Sequence, residues 1–301
     1  MRQNRPLLGI LFMMAAVTMF PFMGKLVQLL SERYEPDQII WARVTCQTVL
    51  MLVMFGPRRG FSLLATRHPV QQLGRGVAQF FATSLYFINV RFMPLAQATA
   101  ISFTTPFLVT ALAWPMLGER FGLQRLVTLI VGFMGVLIII RPGSDVFQWA
   151  AVGIIASALS YGMYQVLTRR VSPDDSPETS SLYSPLPATI ILSIVMLFRW
   201  KNPESWLDAA LLAGPGVFGG IGHYFLARAM TYAPASVVAP FMYWQIVGAT
   251  CLDFFVSAHL PDIYTYIGAS VLIAAGIYMG WQETRAKPDA ATPEKQPAGS
   301  G

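Results

Sequence analysis

Residues 74–117 read GRGVAQFFATSLYFINVRFMPLAQATAISFTTPFLVTALAWPML, and residues 214–257 read GPGVFGGIGHYFLARAMTYAPASVVAPFMYWQIVGATCLDFFVS. Laid on one another at an offset of 140, they match at Gly74/Gly214, Gly76/Gly216, Val77/Val217, Pro94/Pro234, Thr110/Thr250 and Leu112/Leu252. Six identities are few, but both entry glycines and the proline of the short connection fall in register. Working outward, Gly9 and Gly153 open similar segments, and Gly135 and Gly276 occupy similar places in the last apolar run of each half. The chain therefore reads as two halves, 1–141 and 147–285, followed by a disordered cytoplasmic tail over 286–301 that is polar and rich in Pro and Gly.

Composition says what medium these halves occupy. Of the 301 residues, 54% are hydrophobic and 12% charged, about half the charge of an ordinary globular domain. A mean hydropathy of +0.52 spreads that excess along the chain. This excludes a soluble α/β enzyme, a disordered chain and a nucleic-acid binder, and identifies an integral membrane protein. Ten apolar runs are expected as spans, at 7–30, 39–55, 74–90, 96–117 and 124–140, then 147–167, 182–198, 209–232, 236–257 and 263–281. Most are long enough to cross a hydrocarbon layer of roughly 30 Å as helices, and none shows the two-residue alternation of barrel strands. The expected fold is all-α, with ten transmembrane helices in two five-helix repeats. Five is odd, so the second repeat enters the membrane inverted, the arrangement by which many secondary transporters open one site to either side.

The net charge of +6 becomes a topology signal. With the amino terminus in the cytoplasm, 13 Lys and Arg fall inside and 5 outside, leaving Lys25, Arg43 and Arg228 within spans. That bias predicts both termini cytoplasmic. Arg2 and Arg5 precede an apolar run as in a signal peptide, but the run continues to Leu30 without a small-residue cleavage site, so it reads as a retained helix. Cys46 and Cys251 lie in apolar runs without metal-site spacing and read as small buried hydrophobes.

Polar groups within spans are the candidates for function. Asp253 is an acid well inside a span, and Lys25 and Arg43 lie toward the outer ends of helices 1 and 2. They form an internal ion pair, a proton-coupling site or an anion-attracting vestibule, or else the two cations snorkel to the interface. His223 follows a glycine-rich run (214, 216, 219, 220, 222) and occupies the place of Thr83 in the first half. It is either a cavity imidazole that binds substrate or takes a proton, or an interhelical histidine. Ser157, Tyr161, Tyr164 and Gln165 share one face of helix 6, while helix 9 offers Tyr243, Trp244 and Gln245 after Pro240. Helix 3 adds Gln79, Thr83 and Tyr86, and helix 4 adds Ser102, Thr104 and Thr105 before Pro106. Such a lining suits a planar aromatic ligand, stacked on rings and held at its edges by amides and hydroxyls. No nucleotide-binding, metal or catalytic motif is present, so neither an enzyme nor an ATP-driven pump is expected, and no cofactor or metal.

The stretch Pro94-Leu95-Ala96-Gln97-Ala98-Thr99-Ala100-Ile101-Ser102-Phe103, then Gly118-Glu119-Arg120, then Gly132–Gly135 ending in Arg141-Pro142-Gly143, resembles the EamA domain of the drug/metabolite transporter superfamily. The resemblance covers nearly the whole chain, once per half, although the second copy has Ala258-His259 where Gly118-Glu119 stands. It implies ten helices, cytoplasmic termini and a central cavity lined by helices 1, 3, 4, 6, 8 and 9. The wording from Pro94 to Gly143 is similar to a bacterial branch with riboflavin and S-adenosylmethionine uptake proteins. The expectation is a secondary transporter of a small organic metabolite in the bacterial inner membrane, first of all riboflavin uptake. Export of amino acids or related metabolites, S-adenosylmethionine uptake and a non-transporting membrane sensor or partner are the alternatives. Membrane lipid is an expected partner and nucleic acid is not.

Overall fold

A computed structural model describes residues 5–117, 123–142, 148–171, 174–232 and 238–285. The tail 286–301, the Gly118-Glu119-Arg120 connection and Pro234 lie outside them. The described residues form twelve α-helices and no strand. The first half comprises α1 (Pro6–Leu30), α2 (Pro36–Arg59), α3 (Pro69–Val90), α4 (Leu95–Ser102), α5 (Thr105–Leu117) and α6 (Leu123–Ile140). The second comprises α7 (Trp149–Val171), α8 (Pro177–Tyr183), α9 (Leu186–Arg199), α10 (Trp206–Tyr232), α11 (Trp244–Ser257) and α12 (Ile263–Arg285). Proline in the first turn starts α1, α2, α3 and α8, where its fixed φ suits a helix and its missing N–H costs nothing.

Seven helical stretches are long and apolar enough to cross a membrane, and Leu126–Ile140 is a shorter apolar one. The chain is a multi-pass membrane protein. Two of the runs expected to span fall outside this set for physical reasons. α3 carries Gln72, Arg75 and Gln79, and α11 is cut to 14 residues by the 3-10 turn Ala239–Tyr243.

That turn has a counterpart. The run 96–117, expected as one helix, breaks at Phe103-Thr104. Thr104 Oγ1 donates to the Ile101 carbonyl (2.6 Å) and Thr105 Oγ1 to that of Ser102 (2.8 Å), while Pro106 has no N–H to continue the ladder. Phe103 and Tyr243 are equivalent at the 140 offset, and their rings meet edge-on at 5.0 Å. The two helix breaks therefore face each other. The expected span 182–198 likewise begins as two helices, α8 and α9, separated at Ser184-Pro185.

Packing follows the repeat. α1 lies along α10 and α3 along α7, while α2 meets α9, α4 meets α11 and α6 meets α12. Exchanging the halves maps these pairs onto one another. The Arg5 amide donates to the Tyr232 carbonyl and Leu26 sits against Gly214, so α1 and α10 are antiparallel. Gln28 donates to the Val90 carbonyl, so α1 and α3 end together and run parallel. α10 thus runs opposite to its equivalent α3. The repeated glycines make these approaches. A Cβ on Gly216 would stand 2.7 Å from the Arg43 carbonyl, and one on Gly76 would stand 2.8 Å from the Tyr183 carbonyl. Gly135 approaches the backbone of Gly268, whereas Gly276, at the similar place in the second half, faces Tyr243.

Ion pairs at the two ends repeat too. Arg199–Asp37 (2.7 Å) and Arg59–Glu178 (3.3 Å) join equivalent helix ends. Arg33–Asp208 (3.3 Å) and the His68–Asp174 hydrogen bond (2.8 Å) join equivalent loops, with the acid on the opposite partner. Exposed pairs contribute about 1 kcal/mol or less each, so they mark the register rather than hold the fold. Asp175 beside them is buried, which raises its pKa. Hydrogen bonds from Thr66, Gln72 and the Arg67 amide outweigh that and hold it below the usual carboxylate value. Between the ends, Val27, Phe87, Leu95, Ile101, Ile139, Ile154 and Leu272 belong to one buried apolar cluster drawn from both halves.

Candidate functional site

Arg43 lies seven residues into α2, about 10 Å along its axis from Pro36, and is 3% exposed. It does not snorkel. Its Nη1 donates to Thr83 Oγ1 of α3 (3.2 Å), and its guanidinium carbon stands 5.7 Å from the centre of the Phe87 ring. Tyr161 and Tyr164 of α7 stack with ring centres 5.5 Å apart, and both lie within electrostatic reach of Arg43. His223 of α10 lies within that reach too, its ring tilted against Phe20 at 5.3 Å. The structure thus gathers Arg43, Thr83, Tyr161, Tyr164 and His223 from α2, α3, α7 and α10, two helices from each half. Gln79, one turn before Thr83, has its buried Oε1 without a hydrogen-bond partner. Among the described residues Arg43 has no carboxylate partner, and its buried Nε has no acceptor. A guanidinium within a span costs up to roughly 2.5–3.5 kcal/mol, the figure for a helix centre on insertion scales, and among the described residues only the Thr83 hydroxyl and the Phe87 ring face it to offset that cost.

Lys25 and Asp253 form a second cluster. Lys25 Nζ donates to Asp253 Oδ1 (2.8 Å), Ser257 Oγ (2.7 Å) and Gln28 Oε1 (3.1 Å). Asp253 Oδ2 accepts from the Ala96 amide (2.8 Å) at the start of α4. Asp253 is 1% exposed and Lys25 5%. Their pair joins α1 to α11 and lines a cavity of about 600 Å3 with Gln28, Glu32, Arg91 and His259. The aromatic candidates do not line this cavity.

The other sequence candidates divide. Tyr243 packs on Phe103 with its hydroxyl against Gly276. Ser102 Oγ is taken up by the Ala98 carbonyl (2.9 Å) and Ser157 Oγ by that of Ala82 (2.6 Å). Gln165 and Gln245 are half-buried, and Trp244 is 44% exposed. Phe87 was missed, although its signal was present: it stands one turn after Thr83 on the same helix face. Arg75, at the edge of the expected span 74–90 and one of the 13 inner cations of the charge tally, is buried, donates to the Ser180 carbonyl and Ser184 Oγ, and stands 5.2 Å from the Tyr164 ring centre.

A helical membrane protein of two antiparallel halves that contribute jointly to one buried polar and aromatic cluster has the architecture of a secondary transporter. Comparison with known proteins makes this specific. The EamA-like transporter family model matches residues 7–141 and again 148–280, and the chain belongs to that family. An S-adenosylmethionine uptake transporter of Rickettsia felis is 26% identical over 237 residues, covering 79% of this chain and 80% of that one. A riboflavin transporter of Vibrio cholerae is 25% identical over 288 residues, covering 94% of this chain and 96% of that one. A solved structure superposes with a TM-score of 0.63 at 17% identity, covering 93% of this chain and 98% of its own, which speaks for the fold alone.

Proposed function

We propose that the chain imports a small organic metabolite across the bacterial inner membrane by alternating access, with both termini in the cytoplasm and residues 1–141 and 147–285 acting as the two inverted repeats. The observation that carries this is the cluster of Arg43, Thr83, Tyr161, Tyr164 and His223, assembled from both halves between antiparallel helices. Helices broken at Phe103 and Tyr243 support it, because discontinuous helices at a repeat interface are where such proteins bind their solutes.

Riboflavin is the first specific substrate. Its flat, neutral ring system matches the stacked Tyr161 and Tyr164, with Gln79 and Thr83 as edge partners, and a relative of nearly full coverage bears the name riboflavin transporter. Ser102, Gln165, Tyr243, Trp244 and Gln245 complete the proposed lining. S-adenosylmethionine is the second reading, favoured by the relatives named for its uptake and by the unpaired cation of Arg43. Lys25 and Asp253 are proposed as the coupling or gating pair.

Growth rescue of a riboflavin auxotroph on low external riboflavin tests the first reading. Failure despite membrane expression moves the assignment to S-adenosylmethionine or to export. Saturable flux in proteoliposomes separates any transporter from a sensor. Normal flux after substitution of Tyr161, Tyr164, Trp244 and Gln245 removes the proposed lining.

A further inference from the structure

We infer that Arg43 anchors the substrate by its acceptor edge, so that the transported solute carries a carboxylate or a ring carbonyl beside an unprotonated ring nitrogen that faces the guanidinium; this rests on the transport reading above. The cations deep in the described structure are not alike. Lys25 has Asp253 at 2.8 Å. Arg75 donates to Ser180 and Ser184 and feels Asp175. Arg43 has one hydroxyl, Thr83 Oγ1, the Phe87 ring centre at 5.7 Å, and two tyrosines within electrostatic reach. Guanidinium offers five N–H donors and no acceptor, and the Nε–Nη2 edge forms bidentate pairs with planar oxygen pairs. In this protein that edge faces Gly219. A methyl group there would stand 3.5 Å from Nε and 3.6 Å from Nη2. Gly219 itself puts no side chain opposite the donor edge, Met23 Sδ lies 3.2 Å from the same spot, and among the described residues the buried Nε has no acceptor.

Phe87 on one side and Thr83 on another fix the orientation of the fork, and the Tyr161/Tyr164 stack lies close enough to hold a ring joined to that edge. The two chemistries that fit are an amino-acid carboxylate carried on a ring-bearing solute, as in S-adenosylmethionine, and the N1/C2-carbonyl edge of an isoalloxazine, as in riboflavin. Both present two coplanar acceptors joined through one carbon.

The test is uptake of matched pairs by wild type, Arg43→Gln and Arg43→Lys in proteoliposomes. The pairs are S-adenosylmethionine against its decarboxylated form, and riboflavin against 2-thioriboflavin. Wild type is expected to prefer one intact member by roughly 10–100-fold in KM, the range of a charge-assisted hydrogen bond. The preferred pair identifies which source supplies the edge. Arg43→Gln is expected to abolish that preference by weakening uptake of the intact solute while leaving the analogue within about twofold, and Arg43→Lys to restore part of it for a carboxylate alone, since ammonium lacks the fork. Undiminished preference in Arg43→Gln overturns the assignment, as does equal loss for both members in protein that is folded by size exclusion. Absence of flux for all four solutes in wild type, with no thermal stabilisation of the purified protein by any of them, overturns the substrate reading and this assignment together.

Discussion

Asp253→Asn is the most informative single change outside the central cluster. In the native protein Lys25 Nζ is surrounded by Asp253 Oδ1 at 2.8 Å, Ser257 Oγ at 2.7 Å and Gln28 Oε1 at 3.1 Å. Of these, Asp253 alone carries charge. Its second oxygen accepts the Ala96 amide at 2.8 Å, an orphan N–H at the first turn of α4. Asparagine is isosteric and keeps an oxygen for one of these donors, so volume is unchanged and the loss is electrostatic. A cation left in a site that is 5% exposed without its counter-charge costs about 3–5 kcal/mol, the range for breaking a buried pair from one side. Removing both charges, as in Lys25→Met with Asp253→Leu, deletes the desolvation penalty along with the attraction. The double variant is expected to be at least about 2 kcal/mol more stable than the sum of the singles. The assay is unfolding in mixed micelles followed by tryptophan fluorescence, with the double-mutant cycle completed. A single variant within about 0.5 kcal/mol of wild type, or strict additivity of the cycle, refutes the claim that this pair is a buried, mutually dependent lock between α1 and α11.

Gly76→Ala and Gly216→Ala place a methyl group within 3.0 Å of the backbone of α8 and α2 respectively, so each is expected to destabilise by about 1–3 kcal/mol. Gly74→Ala, which meets nothing within 4 Å, serves as the control in the same unfolding assay. Asp175 has a lowered pKa in the folded protein, so its contribution to stability is present above the ordinary carboxylate value and is lost as pH falls through the depressed one. Asp175→Asn should therefore flatten the acid limb of the stability–pH profile and leave the profile above about pH 6 parallel to wild type; an unchanged acid limb counts against the network. Tyr161→Leu and Tyr164→Leu are expected to lower uptake by roughly fivefold at normal expression, since a ring–ring stack is worth on the order of 1 kcal/mol beyond its burial. Tyr161→Phe, which keeps the ring, should retain most of the activity; equal loss in both would assign the role to the hydroxyl.

Much of the architecture was legible before any coordinates. The offset that aligns Gly76 with Gly216 also pairs two glycines that each admit a neighbouring helix's backbone within 3.0 Å, because a repeat constrained to pack on its own inverted copy needs small residues at the same two places. Pairing of distant polar groups was less legible. Lys25 and Asp253 are 228 residues apart, and sequence alone favoured snorkelling for Lys25 and Arg43, with an ion pair or coupling site as the alternatives. Lys25 pairs with a carboxylate and, among the described residues, Arg43 does not, a difference decided by which helix faces each of them. The break at Phe103-Thr104 was hidden for another reason. Pro106 is compatible with a helix start, and only the hydroxyls of Thr104 and Thr105 bonding back to Ile101 and Ser102 turn it into an end. Asp175 escaped notice because a loop acid gives no sign of burial until Thr66 and Gln72 close over it.

By itself the sequence determined the medium, the helical class and the duplication, because apolar run length and register are local properties that any packing must respect. Tertiary structure decided which charges are neutralised and which rings and donors share a space. Those outcomes depend on the crossing of α2, α3, α7 and α10, where one buried guanidinium lies within electrostatic reach of two stacked tyrosines and an imidazole and finds no carboxylate among the described residues.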